Sequence, residues 1–594
     1  MASTEKGFCN RANLLRTTGH WRNLLSSMFI EDLKTVAGQT HVSFREACYA
    51  RGLLDDDKEY VDAVNEASQW ASAHALRKLF ITLLTSNSIA KPETVWEAVR
   101  HQWHHLADDV QFNTRHLTKD LELILTKQER KNYALNEIEQ LLAVWGRTLK
   151  DFPYMPVPDY GASRLTSNRL IYEELSYDRE AQRLENEQLV GQLTDEQRHT
   201  YNAIMADVDA KAGGLFFVYG YGGTGKTFLW RALSSCIRSR GEIVLNVASS
   251  GIASLLLPSE RTAHSRFAIP ININEDSTCN IKQGSPLAAL IVRCSLIIWD
   301  EAPMMHKHCF KALDKTMRDL LRFQNPGSLE MTFGGKTLVL GGDFRQILPV
   351  IPKGTMQDIV GATINSSYLW KNCRVLRLTK NHRLRNIQDY VDYHEVEDFA
   401  KWIAEIGDGV VGIANDMDCD ISIPQQNILH CGDDLITTIV ESTFPNYRSA
   451  NYDRYVLENR AILAPTLDVV HSINEYMNGM DESKGRTYLS CDSVCKSDSN
   501  VDMLSDLHTP EFLNGIKCLG IPNHCFTLKV GSPVMLLRNI DHSLGLCNGT
   551  RLIITKLADW VIEAKIMCGA HVGTKVLVPR MSLTPSDPRL PFKF

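Results

Sequence analysis

Residues 215–227 read LFFVYGYGGTGKT, and the residues that follow read FLWRALSSCIRSRG. Leu215 to Tyr219 is an apolar run of strand length bounded by Gly220, while the segment after Thr227 repeats apolar residues at three- and four-residue intervals. The predicted local structure is a buried strand turning sharply into an amphipathic helix. The turn itself, Gly220, Tyr221, Gly222, Gly223, Thr224, Gly225, Lys226 and Thr227, has the spacing GxxxxGKT. Glycines there let backbone N–H groups curl around a phosphate, and the helix N-terminus adds partial positive charge. A lysine reaches the outer phosphate oxygens, and a hydroxyl is offered to Mg2+. The plainer alternative is a glycine-rich turn with an exposed lysine; the agreement of strand, turn and helix argues against it.

Outward from this loop the same texture recurs. EIVLNVAS, CSLIIWDE and KTLVLGGD are short apolar runs alternating with helical patterns. That alternation predicts an α/β fold, a parallel sheet covered on both faces, with ligands bound at the carboxyl ends of its strands. A second set of such elements begins around Val375, includes AILAPTLDVVHSINEYM and resumes at LKVGSPVMLLRN, so two α/β domains are expected. Upstream, stretches such as EYVDAVNEASQWASAHALRKLFITLL carry helical periodicity, and Pro153, Pro156 and Pro158 end it. The expected organisation is a helical region over 1–150, a charged linker or surface helix over 151–190, a first α/β domain over 191–374, a second over 375–527, and a final segment over 528–594.

The chain has 594 residues, 44% hydrophobic and 23% charged, with a net charge of −6. This is a globular composition with room for several cores, and it excludes a disordered tail or a broadly basic coat for nucleic acid. A motor that grips a few phosphates in one groove is compatible with it. No secretory signal and no apolar run of roughly 18 to 20 residues occurs, which predicts an intracellular protein with no membrane association. The 15 cysteines follow no repeating spacing, as expected of reduced thiols. Cys491, Cys495, Cys518 and Cys525 with His508 and His524 can be drawn as a zinc set, but without a CxxC pair free thiols are the preferred reading. His101, His104 and His105 share a helix face and are read as polar surface.

Hydrolysis needs more than a phosphate cradle. Leu296 to Trp299 would deliver Asp300 and Glu301 to the end of a buried strand, where Asp300 orients the magnesium shell and Glu301 polarises the attacking water. An acidic pair in that position is often only a strand terminus; its place downstream of the loop favours the catalytic reading. A third strand ends at Asp343, Phe344, Arg345 and Gln346, and a glutamine there is placed to sense the γ-phosphate. Asn381, His382 and Arg383 follow VLRLTK, and Arg383 is either an arginine that stabilises transition-state charge or a surface ion-pair partner.

In this order the motifs resemble those of superfamily 1B helicases, specifically the Pif (petite integration frequency) helicase family in the form carried by Helitron transposons. LTDEQRHTYNAI is similar to the family's adenine-reading motif, which implies Gln197 as the adenine contact. ASSGIASLLLPSERTAHSRFAIP is similar to its DNA-gripping segment, DEAPM to its acidic motif, ALDKTMRDLLR to its signature helix, GGDFRQILPV to its sensor and KNHRL to its arginine motif. LKVGSPVMLLRNIDHSLGLCNGTRL resembles its later DNA-binding motif, leading into a small SH3-like insertion. The resemblance covers about residues 190–594. It implies two RecA-like domains, ATP and Mg2+ as cofactors, and 5′ to 3′ movement on single-stranded DNA with opening of duplex junctions. It further implies roles in DNA repair, recombination, telomere maintenance or Helitron replication, and a nuclear location. Ser250, Gly251, His264, Ser265, Asn548 and Gly549 are the implied DNA contacts; Ser250 and Gly251 would equally cap the following helix.

The sequence departs from the family pattern at His382, where methionine is usual, and at Leu467, where asparagine is common. It also stops at Phe594, ahead of the family's last motif, so the second RecA-like domain is expected to be incomplete. Two functions therefore compete: an ATP-dependent DNA helicase, and a truncated, nucleotide-gated DNA-binding remnant that cannot unwind. A P-loop enzyme such as a kinase is disfavoured by the sensor, arginine and DNA-grip motifs.

Overall fold

The computed structural model describes most of residues 57–158, all of 168–256 and 261–382, most of 390–494 and of 510–581, and short segments at 35–36, 39–40 and 592–593. Its centre is a six-stranded sheet: β1 (Leu215–Tyr219), β2 (Val244–Ala248), β3 (Arg261–Thr262), β4 (Leu296–Asp300), β5 (Thr337–Gly342) and β6 (Cys373–Arg377). The spatial order is β3-β2-β4-β5-β1-β6, and every pairing is parallel. Alternate residues of one strand feed opposite cores, as the two-residue period of a strand requires. Phe216 and Val218 face one layer with Leu229, Trp230 and Leu233; Phe217 faces the other with Phe310, Leu313 and Met317.

The first layer is built from α6 (Arg179–Gly191), α7 (Asp195–Ala210) and α8 (Lys226–Ser239). The second contains α9 (Pro286–Arg293) and α10 (Lys307–Leu321). In α10, Asp314 is buried and accepts from the Phe333 amide (2.6 Å), the Tyr368 hydroxyl (2.6 Å) and Arg318 Nε (3.0 Å). The acid of the ALDKTMRDLLR helix is therefore a fastener of this layer.

Two expected boundaries shift. Residues 169–191 take the surface-helix form of that reading but pack onto the first domain: α5 (Arg169–Leu175) places Leu170 in the core, and Glu174 pairs in the interior with Arg266 at 2.8 Å. Its neighbour α6 lies along α8, with Asn186 donating to the Ala232 carbonyl at 2.7 Å. Charge density made this stretch read as solvated, but its apolar and amide positions face inward. Likewise VLRL, expected to open the second domain, is β6 of the first sheet, with Val375 registered to Phe217. Strand partnership is non-local and leaves no mark in the strand's own period.

The N-terminal helices α1 (Lys58–Ser68), α2 (Ala73–Thr85), α3 (Pro92–Arg100) and α4 (Lys127–Ala143) match the helical expectation for that region. They bury Leu76, Phe80, Leu83, Trp96 and Ile138, and the same core takes in Val561 and Leu577 from the far end of the chain. Those two residues belong to an antiparallel four-stranded meander, β9 (Pro533–Met535), β10 (Arg551–Leu557), β11 (Val561–Ile566) and β12 (Lys575–Pro579). Glu66 of α1 accepts both the Asp559 and Trp560 amides at 2.7 Å. The meander stands where the small β insertion was expected.

Between them lie α11 (Tyr390–Gly407), α12 (Leu435–Thr443), α13 (Leu467–Met480) and an antiparallel pair, β7 (Gly485–Leu489) with β8 (Cys525–Lys529). A second parallel sheet is not present among the described residues. The run Ala461–Leu463 belongs to no described strand, and Leu463 is 93% exposed. His101, His104, His105, Cys491, Cys495, Cys518 and His508 lie outside the described residues. No helix among the described residues is long and apolar enough to cross a membrane.

Candidate nucleotide site and nucleic-acid interface

The carboxyl ends of β1, β2, β4 and β5 converge on one edge of the sheet. Tyr219 is in register with Gly342 and Ala248 with Asp300, so the glycine loop, acidic pair, sensor turn and grip segment emerge side by side. In the glycine loop Gly225 has φ +81°, and a Cβ there would lie 2.3 Å from Gln197 Nε2. Only glycine fits both the angle and the approach. Lys226, the first residue of α8, is buried and donates from Nζ to the Gly220 carbonyl at 2.5 Å, with Tyr221 O at 3.5 Å. Thr227 follows, half-buried in the first turn, where backbone amides have no intrahelical acceptor.

Asp300 is 4% exposed and accepts the Glu301 amide on Oδ1 at 3.0 Å. Burial pushes its carboxyl up from the ordinary aspartate value, against the pull of Lys226. Glu301 is also raised, first by burial and then by the Asp300 charge, with Lys226 opposing and Asp343 adding to it. Its backbone is left-handed, φ 51° and ψ 38°, and its Oε2 is buried with no partner among the described residues. At Gly341 a Cβ would come within 3.2 Å of Asp300 Oδ1, so the neighbouring strand is shaved to admit the carboxylate.

This chemistry fits a magnesium nucleotide. Buried acids raised by desolvation are relieved by a divalent cation, and magnesium characteristically takes one or two carboxylates together with substrate phosphates.

Other expected positions fall as follows. Gln197 is 3% exposed; its Oε1 accepts the Thr194 amide (3.1 Å) and its Nε2 donates to Thr224 O (3.2 Å). In this structure it braces the phosphate loop. Gln346 is half-buried on the sensor turn, its amide donating to Asp343 O at 3.2 Å. Arg383 lies outside the described residues, but its neighbour His382 donates its amide to Gly223 O at 2.8 Å, so this segment passes over the loop.

The grip residues divide into two touching loops. Ser250 Oγ accepts the Ala253 amide at 3.2 Å, at the entry to a short 3-10 turn (Ala253–Leu255) whose N-cap is Ile252. A Cβ on Gly251 would lie 2.9 Å from Cys547 Cβ, and one on Gly549, φ +92°, would lie 2.3 Å from Ile252 Cγ1. Ser250–Ile252 and Cys547–Gly549 are thus interlocked across nearly 300 residues of chain. His264 and Ser265 follow β3 on the same sheet edge; burial holds the His264 imidazole below its ordinary value, hence neutral. The grip loop also touches the acidic strand, since the Ser249 amide donates to Asp300 O (3.1 Å) and Trp299 Nε1 to Ser249 Oγ (3.0 Å).

Residue-level reading missed three participants, Glu196, Thr379 and Asp408. Glu196 accepts the Thr379 amide (2.8 Å) and hydroxyl (2.6 Å), and the Tyr221 hydroxyl donates to Thr379 O (2.7 Å). Arg345 forks onto Asp408. A glutamate beside Gln197 and a tyrosine inside the glycine loop were visible signals, but their partner around Thr379 was not.

The parallel sheet, with the glycine loop and the acidic pair at its edge, defines a RecA-like α/β domain of the P-loop class. Within that class, residues 192–417 match the PIF1-like helicase family and residues 511–557 match the 2B domain of DNA helicase Pif1. These two matches together span a little under half of the chain and mark its similarity to PIF1-like helicases. It is 23% identical over 348 residues to the ATP-dependent DNA helicase Pif1 of Psychrobacter, covering 57% of this chain and 44% of that protein. With PIF1 of Danio rerio the identity is 24% over 388 residues, covering 64% and 49% respectively. The chain thus spans less than half the length of these relatives. A Bacteroides Pif1 structure bound to single-stranded DNA aligns with 21% identity and TM-score 0.43, over 68% of this chain and 79% of that one.

Proposed function

We propose that this chain is an ATP-dependent DNA helicase that couples Mg-ATP hydrolysis to 5′ to 3′ movement along single-stranded DNA and opens duplex junctions. The observation that carries it is the bond from Ser249 to Asp300. The loop proposed to grip DNA and the strand proposed to carry the catalytic acids share a hydrogen bond, so strain at one reaches the other directly.

Lys226 and the loop amides hold the β- and γ-phosphates, and Gln197 keeps the loop in shape. Thr227 and Asp300 would hold magnesium, which when bound would supply Lewis-acid charge to the phosphate oxygens. Glu301 orients and polarises the attacking water, its raised affinity for protons suiting a base. Gln346 senses the γ-phosphate and Arg383 stabilises the transition-state charge. Ser250, Gly251, His264, Ser265, Asn548 and Gly549 contact DNA. Hydroxyls, amides and a neutral imidazole read phosphates without reading sequence.

ATP turnover measured with and without an oligo-dT strand tests this, followed by strand displacement on forks with a 5′ or a 3′ tail. The reading requires stimulation by DNA, its loss in Glu301→Gln, and displacement only from the 5′ tail. DNA binding without turnover would establish the non-unwinding remnant instead.

A further inference from the structure

Thr379–His382 and Asp408 are each tied to the nucleotide edge of the first domain. Thr379 is held by Glu196 and by the Tyr221 hydroxyl, and the His382 amide donates to Gly223 O. Asp408, just past α11, receives Arg345 Nε at 2.7 Å and Nη2 at 2.8 Å. Arg345 also lies over the Tyr221 ring, 5.6 Å from its centroid, and its amide donates to Asp343 Oδ1 at 3.1 Å. Gly407 fits against its methylenes, where a Cβ would come 3.0 Å from Cδ. Its Nη1 is buried with no partner among the described residues.

One guanidinium therefore touches the phosphate loop through Tyr221, the sensor turn through its own backbone, and the far end of α11 through Asp408. A planar fork on a carboxylate fixes direction as well as distance. The 18 residues of α11 form a rod roughly 27 Å long, so a small rotation at the fork becomes a large displacement at the other end. We propose that Arg345 is a positioning residue whose fork to Asp408 couples the state of the nucleotide loop to the orientation of α11, so that DNA and nucleotide report to each other through it. This rests on the helicase reading above. An exposed ion pair adds little to stability, so its effect belongs in coupling rather than in folding.

The test compares the full chain with Asp408→Ala and Asp408→Glu. ATP turnover is measured without DNA and with saturating oligo-dT, and fluorescent ADP binding with and without oligo-dT. Asp408→Ala is expected to keep the DNA-free turnover while losing about five-fold or more of the stimulation. It also loses the DNA-induced change in ADP affinity, and Asp408→Glu recovers most of both. Unchanged stimulation in Asp408→Ala, a parallel fall of DNA-free and DNA-stimulated turnover, or no advantage of Glu over Ala would overturn the coupling. The unaltered chain separates the two proposals. If it shows no stimulation the helicase reading fails, whereas a stimulated wild type beside an equally stimulated Asp408→Ala removes the coupling alone.

Discussion

The first α/β domain and the region from α11 to β8 carry similar proportions of apolar sequence but use it differently. In the first, six parallel strands are covered on both faces, and Phe217, Trp230, Trp299 and Phe310 are fully buried. In the second, Phe399 is 42% exposed, Ile403 49% and Leu467 57%, and the described strands form only small two-stranded antiparallel pairs. Every group proposed to touch the phosphates of the nucleotide, apart from Arg383, hangs from the first domain. Chemistry that needs sub-ångström placement sits on the closed frame, and the open region is attached to it by discrete polar ties.

The sharpest test of that division is Lys226→Ala. Turnover is expected to fall by about a thousand-fold or more, since the ammonium has no substitute at the phosphates. A thermal melt should show the domain intact but no longer stabilised by ATP. Residual nucleotide-dependent stabilisation would mean that the loop is not the binding site. Next in size is Phe310→Ala, which removes a fully buried ring from the layer beneath β4 and is expected to cost about 3–5 kcal/mol in denaturant unfolding. Gly549→Ala should cost about 1–3 kcal/mol and weaken oligonucleotide binding, because the new methyl meets Ile252 at a left-handed backbone angle. Binding of oligo-dT at wild-type strength would separate the interlocked loops from DNA recognition.

What could be read from the chain follows the same divide. The glycine loop, Asp300–Glu301 and the sensor turn were legible because each is a short strand and the residues immediately after it, and local pattern fixes both. Three features were not. The pairing of β6 with β1, the inclusion of α5 and α6 in the first domain, and the seating of Glu66 on Trp560 depend on partners about 50 to nearly 500 residues away. Gln197 shows the intermediate case. Its helix-start position was legible, while its bond to Thr224 O required the fold.

A smaller effect sharpens the comparison through pH. Asp300 has a folded-state proton affinity raised by burial, so the folded form without nucleotide favours the protonated carboxyl. Stability from this group is present below the unfolded value and lost as pH rises through the folded one. Near neutrality the buried charge therefore weighs on the apo domain, as expected where function is held at the expense of stability. Asp300→Asn should raise the apo Tm at pH 7.5, by about 0.5–2 kcal/mol of stability, and abolish turnover. The difference should shrink toward zero as pH falls below the ordinary aspartate value of about 3.9. A gain that is independent of pH would mean that packing, not charge, is responsible.

The smallest expected effect belongs to the open region. Phe399 lies on α11 with Val396 and Ile403, one exposed stripe at helical spacing, and its ring is paired with that of Trp402 at 5.8 Å between centroids. Removing it creates no cavity, so Phe399→Ser should change unfolding stability by no more than about 0.5 kcal/mol, against several for Phe310→Ala. The two phenylalanines are alike in sequence context, each on an amphipathic helix. Only the sheet behind Phe310 makes the difference, and a large loss at Phe399 would mean that this stripe packs against something and that the open region is closed in solution.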